Sequence, residues 1–188
     1  MPILKIILIR FLHAALIIVC SSVHLSAQSS VSREYQIKAA FLFNFTQFVD
    51  WPASSFATVD APMVIAVLGE NPFDAYLTET VSGEKVNGHP VVIQHYDHIE
   101  EIKICHILFI GLADPKKLEQ AISALKERSI LTISDQPDFL TMGGMIKFFP
   151  KNNNIRFEIN LEATKSANLV LSSKLLRLAE IFDHSKNR

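Results

Sequence analysis

Five histidines follow residue 27: His89, His95, His98, His106 and His184. One sulfur, Cys105, sits beside His106. A zinc or copper centre needs three or four such ligands converging on one point. His95 and His98 are three apart and can share the face of one helical turn. Cys105 and His106 are adjacent in an apolar run with strand character, so they point to opposite faces and only one can join any given cluster. That pattern reads as scattered histidines rather than a metal site. Ser134-Asp135, at the end of another apolar run, is the best-placed polar pair, because α/β sheets open their crevices at the C-terminal ends of strands. Yet no serine lies in a Gly-x-Ser-x-Gly elbow. Gly69-Glu70-Asn71-Pro72 lacks the spaced glycines and the lysine of a phosphate loop. Gly143-Gly144 has no helix after it and reads as a turn or a close backbone approach. The residues therefore point away from an enzyme and call for no cofactor and no metal. Binding remains, either of a partner or of a small molecule in the Ser134–Asp135 crevice.

The stretch Glu34 to Pro52 organises the elements that would position these groups. Ile37, Phe41, Phe45 and Phe48 recur at helical spacing, and Tyr35, Leu42 and Val49 widen the stripe. The spacing predicts a helix over 34–50, largely buried, that Pro52 stops. Phe43 falls on its more polar side, and Trp51, the single tryptophan, stands at its end. These two are the candidates for partner contact, since aromatics are favoured at interface centres. Short apolar runs at Met63–Leu68, Val91–Ile93, Ile104–Ile110 and Ser129–Ser134 read as strands. Helices are expected between them, lined by Phe73, Leu77 and Val81, and by Leu118, Ile122 and Leu125. Asp114-Pro115 has the form of an N-cap followed by proline at the first helical position. Met145–Phe149 and Ile155–Ile159 flank an asparagine-rich turn, which is a hairpin pattern. Asn160 and Ser172 can cap two short helices, the last with Leu171, Leu175, Leu178 and Phe182 on one face. The alternation predicts an α/β fold: a three-layer sandwich with a mostly parallel sheet and a C-terminal antiparallel hairpin at its edge.

Lys5 and Arg10, the apolar run from Phe11 to Cys20 and the small residues ending at Ala27 read as a signal peptide cleaved after residue 27. Residues 28–188 then form a single exported domain, large enough to bury a core. Removing two basic residues and no acidic ones leaves 16 against 19, a formal charge of about −3, so nucleic acid is not the expected partner. Cys105 remains as the one thiol. It is expected to be unpaired within the chain, although it could join two copies as a homodimer.

Several blocks together resemble one family. Arg33-Glu34-Tyr35-Gln36-Ile37-Lys38-Ala39-Ala40-Phe41-Leu42-Phe43-Asn44-Phe45 and Phe48-Val49-Asp50-Trp51-Pro52 are similar to the opening of the YfiR-like periplasmic proteins. So are Cys105-His106-Ile107-Leu108-Phe109-Ile110, Ile130–Asp135, Gly143-Gly144-Met145-Ile146, Ile155–Asn160 and Ser172–Leu176, in that order. The resemblance implies an exported α/β sandwich that regulates signalling by binding the periplasmic part of an inner-membrane diguanylate cyclase and holding cyclic-di-GMP synthesis low. Another membrane sensor is the alternative partner, and an adaptor or small-molecule-binding role the alternative function. Family members with the repressor role carry further cysteines. Here Cys105 matches the family position and its disulfide partners are missing.

Overall fold

The computed structural model describes residues 33–183 and 185, so the expected signal segment and His184 lie outside the described residues. Helix α1 (33–48) runs directly into β1 (Val49–Asp50). There follow β2 (Met63–Gly69), α2 (Tyr76–Val81), β3 (Lys85–Val86), β4 (His89–Tyr96), β5 (Ile107–Gly111), α3 (Pro115–Leu125) and β6 (Leu131–Ser134). The chain closes with β7 (Ile146–Lys151), β8 (Asn154–Ile159), α4 (Leu161–Ser166), β9 (Val170–Leu171), α5 (Ser173–Leu178) and β10 (Glu180–Ile181).

Eight strands form one sheet in the order β10-β8-β7-β6-β5-β2-β4-β3. The pairings β4–β2–β5–β6–β7 are all parallel, so the sheet has two distinct ends. β2 is an interior strand, paired in parallel on both sides, which is why all of Met63 to Leu68 is apolar and buried. β7 and β8 form the expected antiparallel hairpin. Asn152 and Asn153, at φ 52° and 59°, make the two-residue turn whose twist matches the strands. The hairpin lies towards one edge, with the two-residue β10 outside it, and the other edge is the equally short β3. Short edges leave little unpaired backbone to recruit another strand.

On one face of the sheet, Val64, Ala66, Leu68, Leu108 and Ile110 pack with Leu118, Ala121, Ile122 and Leu125 of α3. The Asp114 carboxylate accepts from the Lys116 and Lys117 N–H groups and starts that helix as its sequence predicts. Asn160 and Ser172 likewise cap α4 and α5. The layer carrying α1 is held by rings: Phe45 stacks on Phe148 at 6.1 Å and meets Phe157 edge-on at 5.2 Å, and Phe41 meets Phe157 at 5.4 Å. Among the described residues no helix is long and apolar enough to cross a membrane.

Several boundaries and faces differ from expectation. α1 stops at residue 48, because Val49 and Asp50 pair with Leu171 and Val170 as strand. Its buried arc is centred on Ala39, Leu42, Phe45, Thr46 and Val49, which turns Ile37 outward at 39 % exposed and Lys38 inward at 2 %. β4 is longer than the apolar Val91–Ile93 suggests, because its parallel register with β2 continues through Tyr96. β5 begins only at Ile107. Arg128 draws the Ile102 and Lys103 carbonyls out of strand geometry, and Ile104 is 47 % exposed. Leu178 is also exposed, while Leu175 and Phe182 keep the buried side.

Candidate functional site

At the C-terminal end of the sheet, β6 delivers Ser134 and Asp135, the pair singled out in the sequence. Ser134 is wholly buried, and its hydroxyl is used twice: it donates to the Ile110 carbonyl at 2.8 Å and accepts from the Gln136 N–H at 3.3 Å. Both bonds serve the strand end, and neither comes from a base that could activate a nucleophile. Asp135 is met by Lys38 Nζ at 2.7 Å, an ammonium that α1 carries into the interior. Beside them the backbone closes on itself. The Glu70 N–H donates to the Gly111 carbonyl at 3.1 Å, and a Cβ on Gly111 would stand 2.2 Å from the Glu70 oxygen. Only glycine permits that approach. In the sequence Lys38 is one of the few polar residues of the greasy Glu34–Pro52 stretch. Its one visible cue was a lone cation flanked by Ile37, Ala39, Ala40 and Phe41.

The N-terminal end is built differently. Trp51, half-buried, donates its indole N–H to the His106 carbonyl at 3.2 Å and sets its ring edge-on to the imidazole at 6.0 Å. Phe56 is stacked between two histidines, 4.1 Å from His89 and 4.3 Å from His106. His89 Nδ1 is bonded to the Ala61 carbonyl at 2.6 Å. His106 is wholly buried, and its Nδ1 accepts from the Val64 N–H at 3.0 Å, which requires the neutral ring with its proton on Nε2. Burial lowers its pKa to about 4; the Ser55 backbone works against that, and His89 adds to it. His106 Nε2 lies towards the Ser55 backbone, but it and the Ser55 hydroxyl are both buried with no well-formed hydrogen bond among the described residues. Ser55 and Phe56 had no signal in the sequence beyond membership of a loop.

Cys105 is free, 6 % exposed, and faces the α3 core, opposite to His106 as strand alternation predicts. Its thiol donates to the Ile107 carbonyl at 3.1 Å. Burial pushes it up to about 12, against the pull of Arg128 and of nearby backbone N–H groups. It stays protonated and is a poor nucleophile; a disulfide between copies would require this loop to open. His95 is bonded to the Gly69 carbonyl at the other end of the sheet, at 2.7 Å, so it does not join His106. Among the described residues no group of three or more His, Cys, Asp or Glu side chains is arranged to hold a metal ion.

Phe43 is half-buried on the flank of α1. The exposed large apolar side chains include Ile104 and Val170, at 47 % and 63 %. Both stand near Trp51 along the chain's connections. Val170 pairs in register with Asp50, and Ile104 lies two residues before the carbonyl that Trp51 holds. The arrangement offers apolar surface at one end of the sheet, and among the described residues Ser134 is not paired with a base. Residues 35–180 match a protein-family model described as YfiR/HmsC-like.

Proposed function

Because the chain belongs to the YfiR/HmsC-like family, which is characteristically periplasmic and regulatory, we propose that this periplasmic protein docks onto the sensor domain of an inner-membrane signalling protein and represses a diguanylate cyclase. The observation that carries this reading is the family match, which spans residues 35–180 and so takes in both ends of the sheet. The surface that suits the role is the N-terminal end. Trp51 is half-buried and anchored through its N–H, with Ile104 and Val170 exposed beside the elements that hold it. An aromatic fixed in this way loses little freedom on binding, which is what makes such residues effective anchors. Phe43, on the flank of α1, is the second contact.

The test pairs two measurements in the native host. Affinity capture from gently solubilised membranes should recover a protein with a periplasmic sensor domain, and deletion of the gene should raise cyclic-di-GMP. A captured sensor without a cyclase domain would keep the docking and move the pathway. No captured membrane protein together with unchanged cyclic-di-GMP would refute the proposal.

A further inference from the structure

A crevice of about 380 Å³ opens between α3 and α4, over the face of β6 that α3 only partly covers. That volume lies in the range of small-molecule sites, about 300–1,000 Å³. Its apolar surface comes from Ile122, Leu125, Met142 and Met145. Thr132 also lines it and is 3 % exposed. The sheet positions around Thr132 on this face, Leu108, Ile110 and Ile130, are hydrocarbon. A hydroxyl among them costs stability unless it is bonded, yet no described residue bonds it, and it is not sealed off from the crevice. It therefore faces the crevice. Asn160, the other buried polar residue lining it, is committed, donating to the Leu140 carbonyl and capping α4 through the Ala163 N–H.

The charged lining is lopsided. Glu119, Glu127 and Glu162 line the crevice against the single cation Lys126. Low-dielectric walls lined by one sign of charge concentrate the opposite sign. Gly143, at φ 100°, lines the crevice too, and a Cβ there would meet nothing nearer than Ile122 at 3.6 Å. The wall is thus open at Gly143. We infer that this crevice binds a small amphipathic cation: the apolar body lies on Ile122, Leu125, Met142 and Met145, and the ammonium donates to the Thr132 hydroxyl within the field of the glutamates. The inference rests on this crevice alone and stands whether or not the Trp51 end docks a sensor.

The test uses two probes of equal size and opposite charge, phenethylamine and phenylacetate, titrated into the mature exported protein by calorimetry and by amide chemical-shift mapping. Phenethylamine should bind saturably, with shifts at Thr132, Met142, Gly143 and Asn160, and phenylacetate at least tenfold more weakly. Thr132→Val keeps the shape and removes the hydroxyl; it should weaken phenethylamine several-fold without lowering the melting temperature. Glu119→Gln combined with Glu127→Gln, both on exposed positions, should weaken phenethylamine and strengthen phenylacetate, shrinking the preference for the amine from both sides. Equal binding of the two probes, absence of saturable amine binding, or shifts that map elsewhere would overturn the inference.

Discussion

The two ends of the sheet solve opposite problems. At the C-terminal end every polar group that β6 delivers has a partner: Ser134 bonds Ile110 and Gln136, Asp135 meets Lys38, and Gly111 lets the Glu70 backbone close over the strand ends. At the N-terminal end the rings are packed but the polar accounts are left open, with His106 Nε2 and the Ser55 hydroxyl lacking a well-formed hydrogen bond among the described residues. The general rule for α/β sheets looks for function where the strands end. Here the polar groups at that end are paired, and Ile104 and Val170 expose apolar surface beside the elements that hold Trp51. A rule about fold shows where a crevice forms most often, and side-chain satisfaction shows whether this chain left one open.

The difference can be broken most severely at Asp135. Asp135→Ala leaves the buried Lys38 ammonium without its carboxylate, and removing one member of a buried pair costs about 3 kcal/mol. Lys38→Met should cost much less, because Asp135 is 22 % exposed and water can reach it. Urea midpoints of the two variants check this. Equal losses would show that the pair is not the seal of that end.

At the other end the lever is pH. Unfolded, His106 takes up a proton near 6.5; folded, burial delays this to about 4. Between those values the unfolded chain binds more protons, so stability rises with pH there. The contribution is complete above about pH 6.5 and is lost as pH falls through about 4, a loss of roughly 3 kcal/mol. Protonation also ends the ring's acceptance from the Val64 N–H, so the Trp51 segment loosens with it. As the single tryptophan, Trp51 reports this directly by fluorescence. In His106→Gln, whose amide oxygen can still accept from Val64, the acid loss should mostly vanish. Trp51→Phe keeps an aromatic ring but drops the hydrogen bond and one ring of the indole, so it should cost about 1–2 kcal/mol at pH 7 in thermal or urea unfolding.

These contrasts also show what could be read in the chain. β2, α3 with its Asp114 cap, and the asparagine turn were legible because their signals are local: a continuous apolar run, a capping pair, residues that accept positive φ. The rotation of α1 was not legible. Ile37 and Lys38 differ by one position, and which of them turns inward is decided by Asp135, 97 residues away. The open end was hidden for the same reason. Trp51 and Phe56, His89, and His106 come from three separate stretches, and only the register of β2 with β4 and β5 brings them together. Trp51 was singled out as the sole tryptophan at a helix end, whereas Phe56 carried no mark at all.

The smallest effect on stability should come with the most telling effect on binding. Val170 is 63 % exposed in β9, paired across to Asp50 beside Trp51. Val170→Glu keeps the backbone ladder and removes no core contact, so its unfolding midpoint should move by about 0.5 kcal/mol or less. If the N-terminal end is the docking face, the new carboxylate would be buried against the sensor without a partner, a cost of several kcal/mol that abolishes capture. An equivalent charge at the far side, Leu178→Glu on the exposed surface of α5, should leave capture intact. Loss of capture by Leu178→Glu and not by Val170→Glu would move the docking face to the β10 edge. Loss by neither would remove both surfaces from consideration and leave the flank of α1, at Phe43, as the place to probe next.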